Sequence, residues 1–254
     1  MKVAAFGNDR VGIVTGDTVL DVTEWAYANS SPRIQDPMIA FIHAVNKGLE
    51  PQGEPVPAGN VKFGPPLRHP SKIVAAIANY FDHIKEMNVG KELHQGIREK
   101  GFFLKAPSSI IGPEDVVRLP FPDRRTDHEA EIAVVIGRTA SKVGESEALD
   151  YVFGYMCLLD ITVRGKEDRG FRKSFDTFTP IGPYITTKDE VPDPNRLRIR
   201  CEVNGEVRQD ASTDLMIMKI PEMIAWISSV MTLYPGDIIT TGSPAGVSPL
   251  KPGD

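Results

Sequence analysis

Between Phe102 and Gly242 the chain is cut into short apolar runs by glycine, proline and asparagine, a spacing that leaves little room for a helical bundle. The runs are FFLKAPSSIIG, EIAVVIG, YVFGYMCLLDITV, GPYITT, RLRIRCEVNG and GDIITTG. They are rich in β-branched and aromatic residues and bounded by turn formers, so each reads as strand. The 22 glycines and 21 prolines of the chain agree with many turns. EVNGEVRQ carries the Asn-Gly pair of a type I′ hairpin. One clear helix interrupts, KIPEMIAWISSVMTL, with Pro221 in its first turn and apolar residues at 220, 223, 224, 227, 230 and 231. The fold class is therefore α+β, mostly β.

The N-terminal part is smaller in scale. KVAAFG, VGIVTG and TVLDV read as a β-meander, and PMIAFIHAVNKGL as a helix stopped at Gly48. EPQGEPVPAGN, residues 50–60, reads as a linker. A small β/α region over 1–68 and a main domain over 69–254 are expected. The main domain opens with KIVAAIANY as a buried strand. The polar stretch 81–101 that follows has helix formers but few anchors. It is either a solvated surface helix or a mobile lid over a site.

Bulk properties narrow the function classes. The 254 residues fit one large domain, or one with a small appendage. A formal charge of -5 gives no sign of nucleic acid or an anionic membrane as partner. The N-terminus lacks the pattern of a signal peptide, and no run approaches the roughly 18 apolar residues of a membrane span. Cys157 and Cys201 sit in no C-x-x-C pair and read as two buried thiols in a reducing cytoplasm. No G-x-G-x-x-G or Walker pattern supports nucleotide binding.

The chemistry-bearing feature is DHEAEIAVVIG, residues 127–137. Side chains at i and i+2 of a strand share a face, so Glu129 and Glu131 stand roughly 7 Å apart at the mouth of a core. Asp160 ends another apolar run, YVFGYMCLLD. Three converging carboxylates would repel and raise one another's pKa, which a hard divalent ion relieves. Oxygen-only ligation selects Mg2+, Mn2+ or Ca2+ over zinc. By spacing alone an E-x-E pair is more often a solvated strand face, and nothing in the spacing brings Asp160 near.

The stretches IANYFDHIKE, KAPSSIIGP, DHEAEIAVVIG, FGYMCLLDITVR, KSFDTFTPIGPYITT, VNGEVRQ and LYPGDIITTGSPAGV occur in this order over residues 70–250. Together they resemble the fumarylacetoacetate hydrolase (FAH) family, in particular its acylpyruvate hydrolase-like members. The resemblance implies a mixed β-roll or sandwich, barrel-like in form, usually a homodimer. It implies a Mg2+ or Mn2+ site at Glu129, Glu131 and Asp160, with Ca2+ also admissible. It also implies cleavage or rearrangement of a carbon–carbon bond in dicarbonyl acids with a 2-oxo acid end. Lys173 matches a lysine near the metal-bound oxygens, and Arg164 an arginine near the site. His83 and Glu86 match an H-x-x-E pair that activates water, with the glutamate orienting the imidazole. Thr241, Gly242 and Ser243 in TGSPAGV are expected to contact substrate, and Lys105 and Ser108 to flank the pocket.

The chain departs from the family pattern in places. Glu167 stands where many members carry a glutamine that helps bind substrate. A carboxylate there disfavours an anionic substrate group unless Lys166 or Arg169 offsets it. Relatives usually continue through another strand or two, so either a sheet edge lacks a strand here or the natural chain runs on. The function implied is a metal-dependent hydrolase of acylpyruvate or fumarylpyruvate type, in the cytoplasm. A decarboxylase of an oxaloacetate-like acid, or an isomerase of an aromatic-degradation intermediate, would use the same enolate chemistry.

Overall fold

The computed structural model describes residues 1–87 and 96–254. It is built on a mixed sheet of twelve strands. Ten of them lie in the spatial order Glu54–Pro57, Thr18–Asp21, Arg10–Thr15, Lys2–Phe6, Thr179–Thr187, Val152–Leu159, Ala130–Ile136, Ile238–Thr240, Ile73–Ala76 and Phe102–Lys105. Along this path only the Ile238–Thr240/Ile73–Ala76 pair is parallel. The hairpin Arg198–Val203/Glu206–Ser212 forms a separate two-stranded sheet. Its turn residues Asn204 and Gly205 have φ of 54° and 79°, the positive pair that a type I′ turn needs.

The strand Ala130–Ile136 is buried along its whole length because both faces are covered. Ile132, Val134 and Ile136 join a core with Ile220, Ile224 and Ile227 of the helix Ile220–Val230. Ala133 and Val135 face the other way, into a core with Met38, Phe41 and Ile42 of the helix Pro37–Val45. That second helix starts at Asp36, whose Oδ1 accepts the N–H groups of Met38 and Ile39 at 2.9 and 3.1 Å. Its Oδ2 accepts those of Arg68 and His69 at 3.3 and 3.2 Å, so the same carboxylate fastens the following segment.

Several local expectations change. Residues 54–57 are not linker but an edge strand paired with Thr18–Asp21. Prolines 55 and 57 are tolerated there because an edge strand has a side that needs no N–H donor. Thr23–Ala28 is a short helix that closes the N-terminal meander. Cys157 is exposed and Cys201 half-buried, so they are not two buried thiols. The reason for the first is strand alternation, since Met156 and Leu158 point inward on either side of Cys157. Within the polar stretch 81–101, Phe81–Met87 and Ile97–Lys100 are helical, and Ile84 and Ile97 are buried anchors. The rest of that stretch, 88–95, lies outside the described residues. No described helix is long and apolar enough to cross a membrane.

Replacing Ile224 by alanine should cost about 2–5 kcal/mol of unfolding free energy in urea, because its side chain is fully enclosed between helix and sheet. A loss well under that range would contradict the packing described.

Candidate active site

Register brings the three acids together. Ala130 pairs with Leu159 at the end of the ladder, and the next N–H, that of Asp160, donates to Glu129 O at 2.8 Å. Glu129, Glu131 and Asp160 are all buried, and one carboxylate oxygen from each lies within 4.8 Å of the others. A hard dication bonded at about 2.0–2.6 Å separates opposite oxygen ligands by roughly 4–5 Å, so this all-oxygen set fits one such ion.

Counter-charges surround two of the three acids. Lys173 Nζ donates to Glu129 Oε2 at 2.7 Å and to Asp160 Oδ2 at 2.5 Å. Lys105 Nζ, wholly buried, pairs with Asp160 Oδ1 and donates to Phe178 O at 3.1 Å. Arg164 donates to Glu129 Oε1 at 2.9 Å and to Asp127 Oδ2 at 2.7 Å, and Arg125 takes the other oxygen of Asp127. Burial opposes the ionised form of Glu129, but Lys173 and Arg164 overcome it and hold the carboxyl far below its ordinary range. Burial likewise works against protonated Lys173, and Asp160 and Glu129 reverse that effect and raise it.

Glu131 differs. Among the described residues it has no cationic partner, and its Oε2 accepts only the Gly242 N–H, at 2.8 Å, as a main-chain bond. Burial first, then the charge of Asp160, pushes its pKa up to about 8. Glu131 is thus the least compensated of the three carboxylates, and a dication would supply that compensation.

Across a cavity of about 430 Å3 stands the helix Phe81–Met87. His83, Lys173, Arg164, Glu129, Glu131 and Ser243 all border this cavity. His83 Nδ1 meets Glu86 Oε2 at 3.2 Å. Glu86 also accepts the Gly246 N–H at 3.1 Å, which anchors the helix to the 241–247 loop. Burial would raise the Glu86 pKa, but His83 and the Gly246 N–H bring it below the ordinary value.

The other expected residues, Ser243 apart, lie off the cavity wall. Lys105 sits behind Asp160 rather than on the pocket flank, where its ammonium is used up on a buried carboxylate. Ser108 is exposed and does not border the cavity. Glu167 is also exposed and off the cavity wall, held by Arg124 through two hydrogen bonds of 2.9 and 2.8 Å. Arg124 therefore offsets it, not Lys166 or Arg169. The hydroxyls of Thr241 and Ser243 donate to Ile132 O and Ala130 O, at 2.9 and 3.1 Å. They brace the strand that carries Glu131. Gly242, at φ 86°, packs so closely on Asn79 that a Cβ would come within 2.8 Å of the Asn79 Cβ.

Two supporting residues escaped the reading of the sequence. Gln209 is buried, and its Oε1 accepts the N–H of Ala130, between the two glutamates, at 2.9 Å. Its Nε2 donates to Ser243 Oγ and Pro244 O at 2.8 and 2.9 Å. Asn79 clamps Thr241 O and both main-chain polar groups of Met218. A glutamine ending VNGEVRQ and an asparagine inside an apolar run were visible signals, but their partners lie far along the chain, Ala130 at 79 positions from Gln209 and Thr241 at 162 from Asn79.

Residues 72–254 match the family described as fumarylacetoacetate (FAA) hydrolase C-terminal. The chain belongs to that family. It is 41% identical to maleylpyruvate hydrolase of Aquipseudomonas alcaligenes, across 100% of this chain and 93% of that protein. It is 40% identical to the mitochondrial oxaloacetate tautomerase FAHD2A of Homo sapiens, covering 82% of this chain and 67% of that one. The crystal structure of maleylpyruvate hydrolase from Sphingobium sp. SYK-6, in complex with manganese (II) ion and pyruvate, has a TM-score of 0.83 and 40% identity. The match covers 100% of this chain and 92% of that one. The large mixed sheet is the fold of these relatives.

Saturating Mn2+ at a hundredfold over its Kd should raise the melting temperature by about 5–10 °C in a thermal melt. In Asp160→Asn that rise should largely vanish, and an equal rise in both proteins would contradict a site at the triad.

Proposed function

We propose that this chain is a divalent-metal-dependent hydrolase that cleaves a carbon–carbon bond in a 2-oxo dicarbonyl acid of acylpyruvate or fumarylpyruvate type. The observation that carries this reading is the His83–Glu86 dyad, which opens on the same cavity as Glu129 and Glu131. The likeness to maleylpyruvate hydrolases, one of them crystallised with manganese and pyruvate, supports the metal and the 2-oxo acid.

Glu129, Glu131 and Asp160 hold Mg2+ or Mn2+ in this reading, with Ca2+ compatible with the same ligands. When bound, the ion supplies Lewis acidity to the oxygens of the keto acid. Lys173 adds a fixed positive charge where negative charge builds on the departing pyruvate fragment. Glu86 accepts the Nδ1–H of His83, which leaves Nε2 free to accept a proton. His83 takes that proton from water, and the water oxygen bonds to the distal carbonyl carbon. The bond beyond C3 then breaks with its electron pair on C3, and a proton returns there. Pyruvate and a free carboxylic acid result.

A second reading uses the same enolate chemistry without water, as a decarboxylase or an isomerase. The 40% identity to an oxaloacetate tautomerase favours it. The dyad, whose histidine is buried, favours hydrolysis, since proton movement on an enolate does not require an activated water.

His83→Ala should lower hydrolytic kcat by about 10²–10⁴-fold while Mn2+ binding is retained. Assays of free carboxylic acid against CO2, on acylpyruvates and oxaloacetate, check this. Full turnover in the variant, or CO2 with no acid released by the wild type, would contradict the hydrolytic reading.

A further inference from the structure

Two of the three acids have both oxygens taken by different cations. Glu129 Oε1 accepts from Arg164 at 2.9 Å and its Oε2 from Lys173 at 2.7 Å. Asp160 Oδ2 accepts from Lys173 at 2.5 Å, and its Oδ1 pairs with Lys105. Arg164 and Lys173 border the cavity, but Lys105 does not. Its side chain is wholly buried, and it meets Asp160 from the protein interior. A second N–H of Lys105 goes to Phe178 O at 3.1 Å, in the enclosed cluster of Ile161, Val163 and Phe178. The main chain just past it is fastened too, since the Ala106 N–H donates to Ser174 Oγ at 3.0 Å. An ammonium anchored in this way fixes the plane of the Asp160 carboxylate and keeps Oδ1 on the interior side. Ion preference follows from how many carboxylate oxygens can turn to one ion. Ca2+ takes about six to eight oxygens and accepts both from one carboxylate, whereas Mg2+ keeps a compact octahedron of single oxygens and waters.

We propose that Lys105 is a positioning residue that sets the ion preference of the site. By holding Oδ1 it limits Asp160 to one ligating oxygen, which favours Mg2+ and Mn2+ over Ca2+. This rests on the reading that Glu129, Glu131 and Asp160 hold the ion. Glu129 is limited in the same manner by Arg164 and Lys173, and Glu131 has one oxygen on the Gly242 N–H. Arg164 and Lys173 face the cavity, where a substrate would also meet them. Lys105 lies off the cavity wall, so its effect on the ion runs through Asp160 alone.

The test is calorimetric binding of Mg2+, Mn2+ and Ca2+, each alone, to the wild type and to Lys105→Met. Methionine keeps an apolar stem and loses the ammonium. The wild type should bind Ca2+ no more tightly than Mg2+. In the variant the affinity for Ca2+ relative to Mg2+ should rise about tenfold, as outer partners of metal ligands commonly act on that scale. A loss of stability alone would weaken all three ions together. An unchanged ratio, or tighter Ca2+ than Mg2+ binding by the wild type, would overturn the role of Lys105. If Lys105→Met fails to fold, a crystal structure of the wild type grown with Ca2+ carries the test. Asp160 should then meet the ion through one oxygen, with Lys105 still on Oδ1, and ligation through both oxygens would overturn the proposal. Failure of all three ions to bind the wild type, or undiminished binding in Asp160→Asn, would overturn the metal site and the role of Lys105 with it.

Discussion

Carboxylates withdrawn from water at a single point repel one another, and the polar detail of the site answers that repulsion. Asp127, Glu129, Glu131 and Asp160 meet at one end of the sheet, against Lys105, Arg125, Arg164 and Lys173. Buried ion pairs of this kind contribute little net stability, because desolvation offsets the attraction. Their value here lies in arrangement. Lys105 and Lys173 grip opposite oxygens of Asp160, and Arg164 and Lys173 grip those of Glu129. Glu131 accepts the Gly242 N–H and forms no ion pair among the described residues, and burial and the charge of Asp160 keep its pKa raised.

A frame of neutral hydrogen bonds holds the acids in place. Gln209 reaches from the hairpin to the peptide between the two glutamates and to the 243–244 turn. Asn79 fixes the other side of that turn, where Gly242 allows the close approach. The same loop accepts the helix of His83, through Glu86 and the Gly246 N–H. One loop therefore braces the acidic strand and positions the histidine opposite it, which couples the two halves of the site mechanically.

Much of this was legible along the chain, and the limits have physical causes. The strands announced themselves by β-branched residues between turn formers, and period two put Glu129 and Glu131 on one face. The convergence of Asp160 was not legible from spacing, because it depends on which rung of the Ala130/Leu159 ladder ends the pairing. The family resemblance supplied what register concealed. Lys105 misled for a related reason. It follows three apolar residues in FFLK, and whether such a lysine lines a pocket or lies beneath a carboxylate depends on a neighbour 55 positions away. Pro55 and Pro57 read as linker because proline density looks the same in a loop and on a sheet edge.

The proposed chemistry depends on one hard ion, shared by two separate β segments, that receives a keto acid through two oxygens. A crystal structure grown with Mn2+ and oxalate, with anomalous scattering recorded at the manganese edge, examines this most directly. The expected map has one peak bonded to an oxygen from each of Glu129, Glu131 and Asp160, with oxalate chelated to it beneath His83. A peak at any other place, or an ion-free triad still bound by Lys105 and Lys173 alone, would contradict it.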